Sequence, residues 1–228
     1  MNFKNLIAGF ILCNLFAIAA NSQPVKWDST HRPGSYALRV DQFKSFPNSK
    51  KDVVFLGNSI TERVDWNELL RMKRARNRGI SGDITFGVLE RLHEVTEGKP
   101  AKVFILIGIN DISRNIPDSV IVDNYKKIIS RIKRESPGTK IYFQTIMPVN
   151  NEFLPLKNQY NKDEHIFRVN EQLKLLGRNE NITVIDLHPH FLGADKKLNK
   201  RFTEDGLHLN AEGYKLWAKV LHEGRYLK

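Results

Sequence analysis

Three residues in this sequence could together carry out nucleophilic catalysis. Ser59 lies in the stretch "FLGNSITERV", directly behind an apolar run and a glycine, and Asp205 and His208 lie three residues apart in "TEDGLHLNAEGY". A serine nucleophile needs a base that takes its proton and a group that orients the base. Asp205 and His208 can project from one short connection, so their pairing requires no long-range coincidence. These residue types favour attack on a carbonyl carbon, provided that the fold brings Ser59 to His208.

The same chemistry needs hydrogen-bond donors for the oxyanion that forms during the attack, and two further stretches supply candidates. Gly82 in "NRGISGD" lies at a predicted helix start, where backbone N–H groups are free and the missing Cβ allows close approach. Asn110 in "LIGIND" carries a side-chain amide that can donate a hydrogen bond. Gly82 and Asn110 are therefore the candidate oxyanion donors.

Each candidate also has an ordinary structural explanation. A serine between a strand and a helix is most often an N-cap, and a glycine or asparagine after a strand is most often a turn residue. A lone loop histidine is usually structural or solvated. The "HPH" at 188–190 could hold a metal, but no carboxylate–histidine cluster at ligand spacing accompanies it. What favours catalysis is the recurrence of suitable residues at several strand ends.

The hydrophobic pattern indicates the elements that must position these residues. Five short runs predict strands, of which the second is the most polar: 52–57, 75–80, 101–108, 140–146 and 182–187. Helical patterns cover roughly 60–72, 83–96, 118–135, 161–177 and 210–223. Strands that alternate with helices imply a parallel sheet with right-handed crossovers. The prediction is a three-layer α/β/α sandwich whose ligand crevice lies outside the carboxyl ends of the strands.

Four blocks of the sequence resemble a known family in content and order. The stretches "FLGNSIT", "NRGISGDITFGVLERL", "VFILIGINDI" and "DGLHLNAEGY" are similar to the four motif blocks of the SGNH hydrolase superfamily, also called the GDSL lipase/acylhydrolase family. The resemblance is strongest to the branch of platelet-activating-factor acetylhydrolase and covers about residues 52–222. It implies a flavodoxin-like five-stranded parallel sheet and a serine esterase activity.

The resemblance also implies a role for each candidate. Ser59 would be the nucleophile, His208 the base and Asp205 its orienting carboxylate, and the oxyanion hole would consist of Gly82, Asn110 and the N–H of Ser59. The expected reaction is hydrolysis of a carboxylic ester through an acyl-serine intermediate, without a metal or organic cofactor. Asn58 departs from the usual Gly-Asp-Ser block, which leaves the triad complete but changes the electrostatics beside the nucleophile.

The first residues have the layout of a secretory signal. Lys4 precedes an apolar stretch at 6–20 that small residues and polar chain follow. We expect residues 1–22 to be removed on export and residues 23–228 to form one secreted or periplasmic domain without a membrane anchor. A transmembrane anchor is the alternative, although the apolar stretch is short for one. Cleavage would remove the only cysteine, Cys13, which excludes disulfides and cysteine–zinc sites from the mature chain.

The charge balance and the long connections limit the partners. The formal net charge is +11, but no arginine-rich block with interleaved aromatics occurs, so nucleic acid is not an expected partner. We interpret basic stretches such as "RMKRARNR" and "KKIISRIKR" as solvated faces. The two long connections, 148–164 and 188–204, are rich in lysine and asparagine with few consecutive apolar residues, whereas a deep acyl tunnel needs continuous apolar lining.

These features favour a small ester substrate, specifically an acetyl group on a carbohydrate. Two alternatives remain open. One is a lysophospholipase or acyl thioesterase that handles longer chains. The other, from a different functional class, is a non-catalytic module that binds glycans or anions on this fold.

Overall fold

The computed structural model describes residues 26–153, 158 and 161–228, so the predicted signal segment 1–22 lies outside the described residues. The elements, in chain order, are α1 Tyr36–Ser45, β1 Val53–Gly57, α2 Ser59–Glu62, α3 Trp66–Leu70, β2 Ala75–Gly79, α4 Thr85–Arg91, α5 His93–Thr96, β3 Lys102–Leu106, α6 Ile109–Ser113, α7 Asp118–Glu135, β4 Lys140–Gln144, α8 Asp163–Glu180, β5 Thr183–Ile185 and α9 Ala211–Glu223. Two short 3₁₀ helices, His188–Phe191 and Lys200–Phe202, lie between β5 and α9.

The five strands form one parallel sheet in the order β2-β1-β3-β4-β5. Of the three inner strands, β1 and β3 are buried along their whole length, as expected for a parallel sheet with helices on both faces. On one face α7 packs against α4 and α8, and on the other α3 packs against α9. The predicted three-layer α/β/α sandwich is therefore confirmed.

An aromatic column crosses the face of the sheet that α3 and α9 cover. Phe55, Phe104 and Tyr142 occupy matching register positions on three neighbouring strands, and their rings stack at centroid distances of 5.0 and 4.6 Å. Trp66 of α3 stacks on Phe55 at 3.9 Å, and Trp217 of α9 packs edge-on against Trp66 at 4.7 Å. Because large aromatic side chains contribute most to core burial, this column anchors both helices to the sheet.

The five predicted strands are present with boundaries that differ by at most two residues, whereas two predicted helices are divided. The pattern at 60–72 forms α2 and α3, because Asp65 accepts hydrogen bonds from the backbone N–H groups of Asn67 and Glu68 and caps a new helix. The pattern at 83–96 forms α4 and α5 and begins two residues later than predicted.

The sequence pattern does not predict α1 and α6. Helix α1 contacts the rest of the fold through Tyr36, whose hydroxyl donates a hydrogen bond to the carbonyl of Gly87 at 2.7 Å. Helix α6 has only five residues, too few to produce a periodic pattern. Within the part of the chain that the structure describes, no helix has the length and apolar character that crossing a membrane requires.

Candidate active site

Ser59 begins α2 directly after β1, at the carboxyl edge of the sheet. The N-cap of this helix is Asn58, whose Oδ1 accepts a hydrogen bond from Ile60 N–H at 3.0 Å. The capping role that the position of Ser59 suggested is thus taken by its neighbour. Asn58 therefore has a structural function that does not require the charge of the usual aspartate.

The three residues of the expected triad lie in hydrogen-bond contact. Ser59 Oγ is 2.9 Å from His208 Nε2, and His208 Nδ1 is 2.6 Å from Asp205 Oδ2. Because an ionised carboxylate only accepts hydrogen bonds, Nδ1 carries the proton and Nε2 is left as the acceptor for the serine hydroxyl. This is the tautomer that a general base needs.

The connection before α9 holds Asp205 and His208 in position. The Oδ1 atom of Asp205 accepts hydrogen bonds from the backbone N–H groups of His208 at 2.7 Å and Leu207 at 3.0 Å. Gly206 adopts a positive φ of 82°, and a Cβ there would lie 2.4 Å from the carbonyl of Asn150. The turn that joins the carboxylate to the imidazole therefore requires glycine at this position.

The two candidate oxyanion donors lie side by side. Asn110 Nδ2 donates one hydrogen bond to the carbonyl of Asp83, the residue after Gly82, at 2.9 Å, which leaves its second hydrogen for a ligand. Gly82 has a φ of 81°, and its N–H donates to no acceptor among the described residues. The sequence-predicted donors are thus brought together.

Burial sets the protonation behaviour of the histidine. Desolvation lowers the pKa of His208 below its ordinary value of 6.5, against the opposing effect of the hydrogen bond that His208 donates to Asp205. The pKa of Asp205 is also lowered: desolvation opposes this, but the hydrogen bonds from His208 and Leu207 outweigh it. Arg63 lies 3.8 Å from Asp205 and adds a positive charge at this edge. At neutral pH the pair is therefore a neutral imidazole beside a carboxylate.

A buried ionic cluster beneath the oxyanion loop was not predicted from the sequence. Arg91 of α4 donates to Asp83 Oδ2 at 2.9 Å and to Glu94 Oε1 at 3.2 Å, and Glu94 also pairs with Arg78. The second terminal nitrogen of Arg91 donates to the carbonyl of Gly57 at 3.1 Å, at the end of β1. Arg91 thus connects the segment before Ser59 to the loop that carries Gly82.

Arg78 also corrects the interpretation of "RMKRARNR" as a solvated face, because its side chain is buried and paired with Glu94. No sequence signal marks it, since an arginine in a basic stretch looks the same whether it is solvated or paired. Only its partner, sixteen residues away, distinguishes the two.

Asp111, the residue after Asn110, holds the start of α4. Its carboxylate accepts hydrogen bonds from Thr85 N–H at 3.0 Å and Thr85 Oγ1 at 2.5 Å. Asn124 of α7 donates in turn to Thr85 Oγ1 at 2.8 Å. Burial raises the pKa of Asp111 to about 7. This carboxyl group supports both donor segments from below but does not line the crevice with them.

A small apolar cavity lies among residues that flank the site. Its volume is about 10 Å³, and its walls include residues adjacent to three site residues: Asn58 and Ile60 on either side of Ser59, Ile109 before Asn110 and Leu207 before His208. A space of this size accommodates roughly one water molecule. It is too small for a long acyl chain.

Two other grooves are larger and more open than this cavity, and one of them borders the triad. One of about 220 Å³ borders Asp205 and His208 and is lined by charged and polar residues, including Arg63 and Glu204. Another of about 440 Å³ lies between α7 and α8, away from all the predicted site residues. The described residues contain no group of three or more histidine, cysteine or acidic side chains that could hold a metal ion. In "HPH", His188 Nδ1 instead contacts the carbonyl of Ile146.

Known proteins share both the sequence motifs and this architecture. The model of the GDSL-like lipase/acylhydrolase family matches residues 55–216. Platelet-activating factor acetylhydrolase IB subunit alpha2 of Rattus norvegicus is 28% identical over 183 residues, which cover 77% of this chain and 76% of the relative. The resemblance inferred from the four sequence blocks is therefore confirmed.

Solved structures place the fold in the same group. A protein from Streptococcus pneumonia, provisionally named a platelet activating factor, superposes with a TM-score of 0.76 at 27% identity over 85% of this chain and 93% of its own. An acetyl xylan esterase superposes with a TM-score of 0.65 at 20% identity over 76% of this chain and 98% of its own, and this second likeness concerns the fold alone.

Proposed function

The chain belongs to the GDSL-like lipase/acylhydrolase family, and from that premise we propose that it is an exported serine esterase that removes acetyl groups from carbohydrates. The observation that carries the proposal is the 2.9 Å contact between Ser59 Oγ and His208 Nε2, with His208 Nδ1 bound to Asp205. Membership of this family supports an acylhydrolase activity. The catalytic triad, the acetyl group and the carbohydrate substrate are what we propose in addition.

In the proposed reaction, His208 acts first as a base and then as an acid in each of the two half-reactions. His208 Nε2 accepts the Ser59 proton as Oγ bonds to the ester carbonyl carbon, and the carbonyl oxygen becomes an oxyanion. The N–H groups of Gly82 and Ser59 and the free hydrogen of the Asn110 amide stabilise that charge. The imidazolium, stabilised by Asp205, then gives its proton to the leaving alcohol. Water deprotonated by His208 attacks the acyl-serine in the same way and releases the acid.

The acetyl preference is supported by the lack of a large apolar space beside the triad. The groove that borders Asp205 and His208 is lined mainly by charged and polar residues, and the apolar cavity among the residues that flank the site has a volume of only about 10 Å³, so a longer chain would have to remain in the open, polar crevice. There each additional methylene group gains little of the roughly 0.8 kcal/mol that burial would supply. A carbohydrate as the alcohol part of the ester fits the polar 220 Å³ groove beside His208. A protein of the same fold is named an acetyl xylan esterase, so its name also combines an acetyl group with a carbohydrate.

A series of 4-nitrophenyl esters from acetyl to octanoyl, measured beside acetylated sugars, tests the proposal. We expect kcat/KM to be highest for acetyl and to fall with chain length. The Ser59→Ala variant is the blank for background hydrolysis. Rates that climb towards octanoyl would instead favour the lysophospholipase or thioesterase alternative. Wild-type rates equal to the Ser59→Ala blank on every ester would favour the non-catalytic binding module.

A further inference from the structure

The residues before α1 run across the oxyanion side of the crevice. A Cβ at Gly82 would lie 3.4 Å from Pro33 Cβ, so the two residues are in close contact. His31 lies beside the backbone of Gly82, which affects its pKa, and Arg114 at the end of α6 acts electrostatically on both His31 and Asp28. This N-terminal segment, residues 26–35, therefore contacts the loop that carries Gly82 and lies within electrostatic reach of the end of α6, the helix that carries Asn110.

Specific contacts hold the N-terminal segment against α4. Arg32 Nε donates to Glu90 Oε2 at 2.8 Å, and Nη1 of Arg32 donates to the carbonyls of Ser29 and His31 at 3.1 and 2.7 Å. Asp28 accepts hydrogen bonds from both the N–H and the hydroxyl of Thr30 at 2.7 Å. A segment with this many internal and external contacts can present side chains in a defined geometry.

One of its side chains is available to a ligand. Trp27 stacks on Phe86 of α4 with ring centroids 6.2 Å apart, yet remains 39% exposed. His31 Nε2, by contrast, is closed to solvent, and the imidazole interacts with the backbone of Gly82. His31 therefore helps to hold the segment against the oxyanion loop.

We propose that the N-terminal segment forms a sugar-binding subsite of the esterase, in which Trp27 stacks on the apolar face of a sugar ring. The inference rests on the proposed function and adds the part of the chain that recognises the carbohydrate. The segment precedes residues 55–216, the region that the family model matches.

The chemistry of the surroundings favours a sugar over a lipid. The apolar surface consists of Trp27 and Phe86, and the charged Asp28 follows Trp27 directly in the chain. A lipid chain needs a continuous apolar lining, whereas a sugar ring combines one apolar face with a rim of hydroxyl groups. An aromatic platform beside hydrogen-bonding groups matches that combination.

The test compares two substrates and one binding measurement. The substrates are an acetylated xylooligosaccharide and 4-nitrophenyl acetate, and the binding of the same oligosaccharide is measured by calorimetry in a Ser59→Ala background. We expect Trp27→Ala to lower kcat/KM about tenfold more for the oligosaccharide than for the small ester, mainly through KM, as typical for loss of an aromatic anchor. Trp27→Phe should retain most of the affinity. Leu38→Ala, which removes another exposed apolar side chain, on α1, is the matched control.

The outcomes separate this inference from the proposed function. Equal losses on both substrates in Trp27→Ala would mean that the segment only supports the oxyanion loop, and would overturn the subsite. An unchanged Kd in Ser59→Ala with Trp27→Ala, or no binding by Ser59→Ala itself, would overturn it as well. Since calorimetry does not depend on turnover, binding that requires Trp27 would support the subsite even if the wild-type protein hydrolysed neither ester.

Discussion

Asn110 has one amide hydrogen bound within the protein and one left for the reaction. The bound hydrogen meets the carbonyl of Asp83 at 2.9 Å, which orients the amide before any substrate arrives. Loss of one oxyanion donor typically lowers turnover by about 10²–10³. We therefore expect Asn110→Ala to lower kcat by about that factor with little change in KM, as measured with 4-nitrophenyl acetate.

The control for this substitution is Ser113→Ala on the same short helix, which removes a hydrogen bond to the backbone carbonyl of Asn110 but no amide. It should leave kcat within a small factor of the wild-type value. An effect of Asn110→Ala confined to KM would assign the amide to substrate binding and contradict its role as an oxyanion donor.

The protonation state of His208 determines the pH dependence of the reaction. The base must be neutral to accept the serine proton, so kcat/KM falls as pH drops through the pKa of His208 and is level above it. Because burial lowers this pKa, the midpoint should lie below 6.5. A pH series of kcat/KM with 4-nitrophenyl acetate measures it.

Substitution of Arg63 should shift the pH profile of kcat/KM in a predictable direction. Its positive charge disfavours protonation of His208 and thus lowers the pKa of the imidazole. Arg63→Gln should therefore move the midpoint of the profile to higher pH. A wild-type midpoint above 6.5, or a shift to lower pH in Arg63→Gln, would contradict this account of the site.

At the scale of elements, Arg91 connects α4 to the ends of two neighbouring strands. Its side chain is fully buried and binds Asp83, Glu94 and the carbonyls of Gly57 and Arg78. Removing one partner from such a cluster leaves buried charges without compensation, which typically destabilises a protein by about 3–5 kcal/mol. We expect Arg91→Met to lower the free energy of unfolding by that amount in urea denaturation.

The pH dependence of this loss has a defined sign. Burial raises the pKa of both Asp83 and Glu94, against the lowering effect of Arg91. A carboxyl group whose pKa is higher in the folded than in the unfolded protein makes the folded state less stable as pH rises through that pKa. The loss of unfolding free energy in Arg91→Met should thus be larger at alkaline than at mildly acidic pH.

The control is Arg134→Met, which removes an exposed arginine and should change the unfolding free energy by less than about 0.5 kcal/mol. Equal losses in the two variants would contradict the role of the cluster.

At the scale of the whole molecule, the proposal includes export, which the sequence of residues 1–22 motivates. The apolar stretch at 6–20 after Lys4 has the composition of a signal segment. We expect the protein isolated outside the cytoplasm of its native host to lack these residues, as intact-mass and N-terminal measurements would detect. Leu12→Arg places a charge inside the apolar stretch and should retain the chain in the cytoplasm. Wild-type protein found only in the cytoplasm with residues 1–22 attached would contradict export.

The elements whose causes are local could be predicted from the sequence alone. The strands and α7 followed from the hydrophobic pattern, because side-chain periodicity acts over a few residues and the "SPG" stretch marks the end of that helix. Asp65 divided one predicted helix, since its capping bonds compete with a continuous pattern. Helix α1 escaped prediction because its anchoring bond to Gly87 joins residues 51 positions apart.

The site, too, could be predicted only in part. The residue types and the Asp205–His208 spacing could be recognised in the sequence, because the two residues are only three positions apart. Only the tertiary structure could decide that Ser59 and His208, 149 residues apart, meet at 2.9 Å, that Asn58 takes the cap, and that Arg91 joins the two loops from below. Such contacts form only when strands that are far apart in the sequence have paired and the helices have packed on the sheet. The free energy of bringing these distant segments together depends on the whole core and not on any single stretch of the sequence.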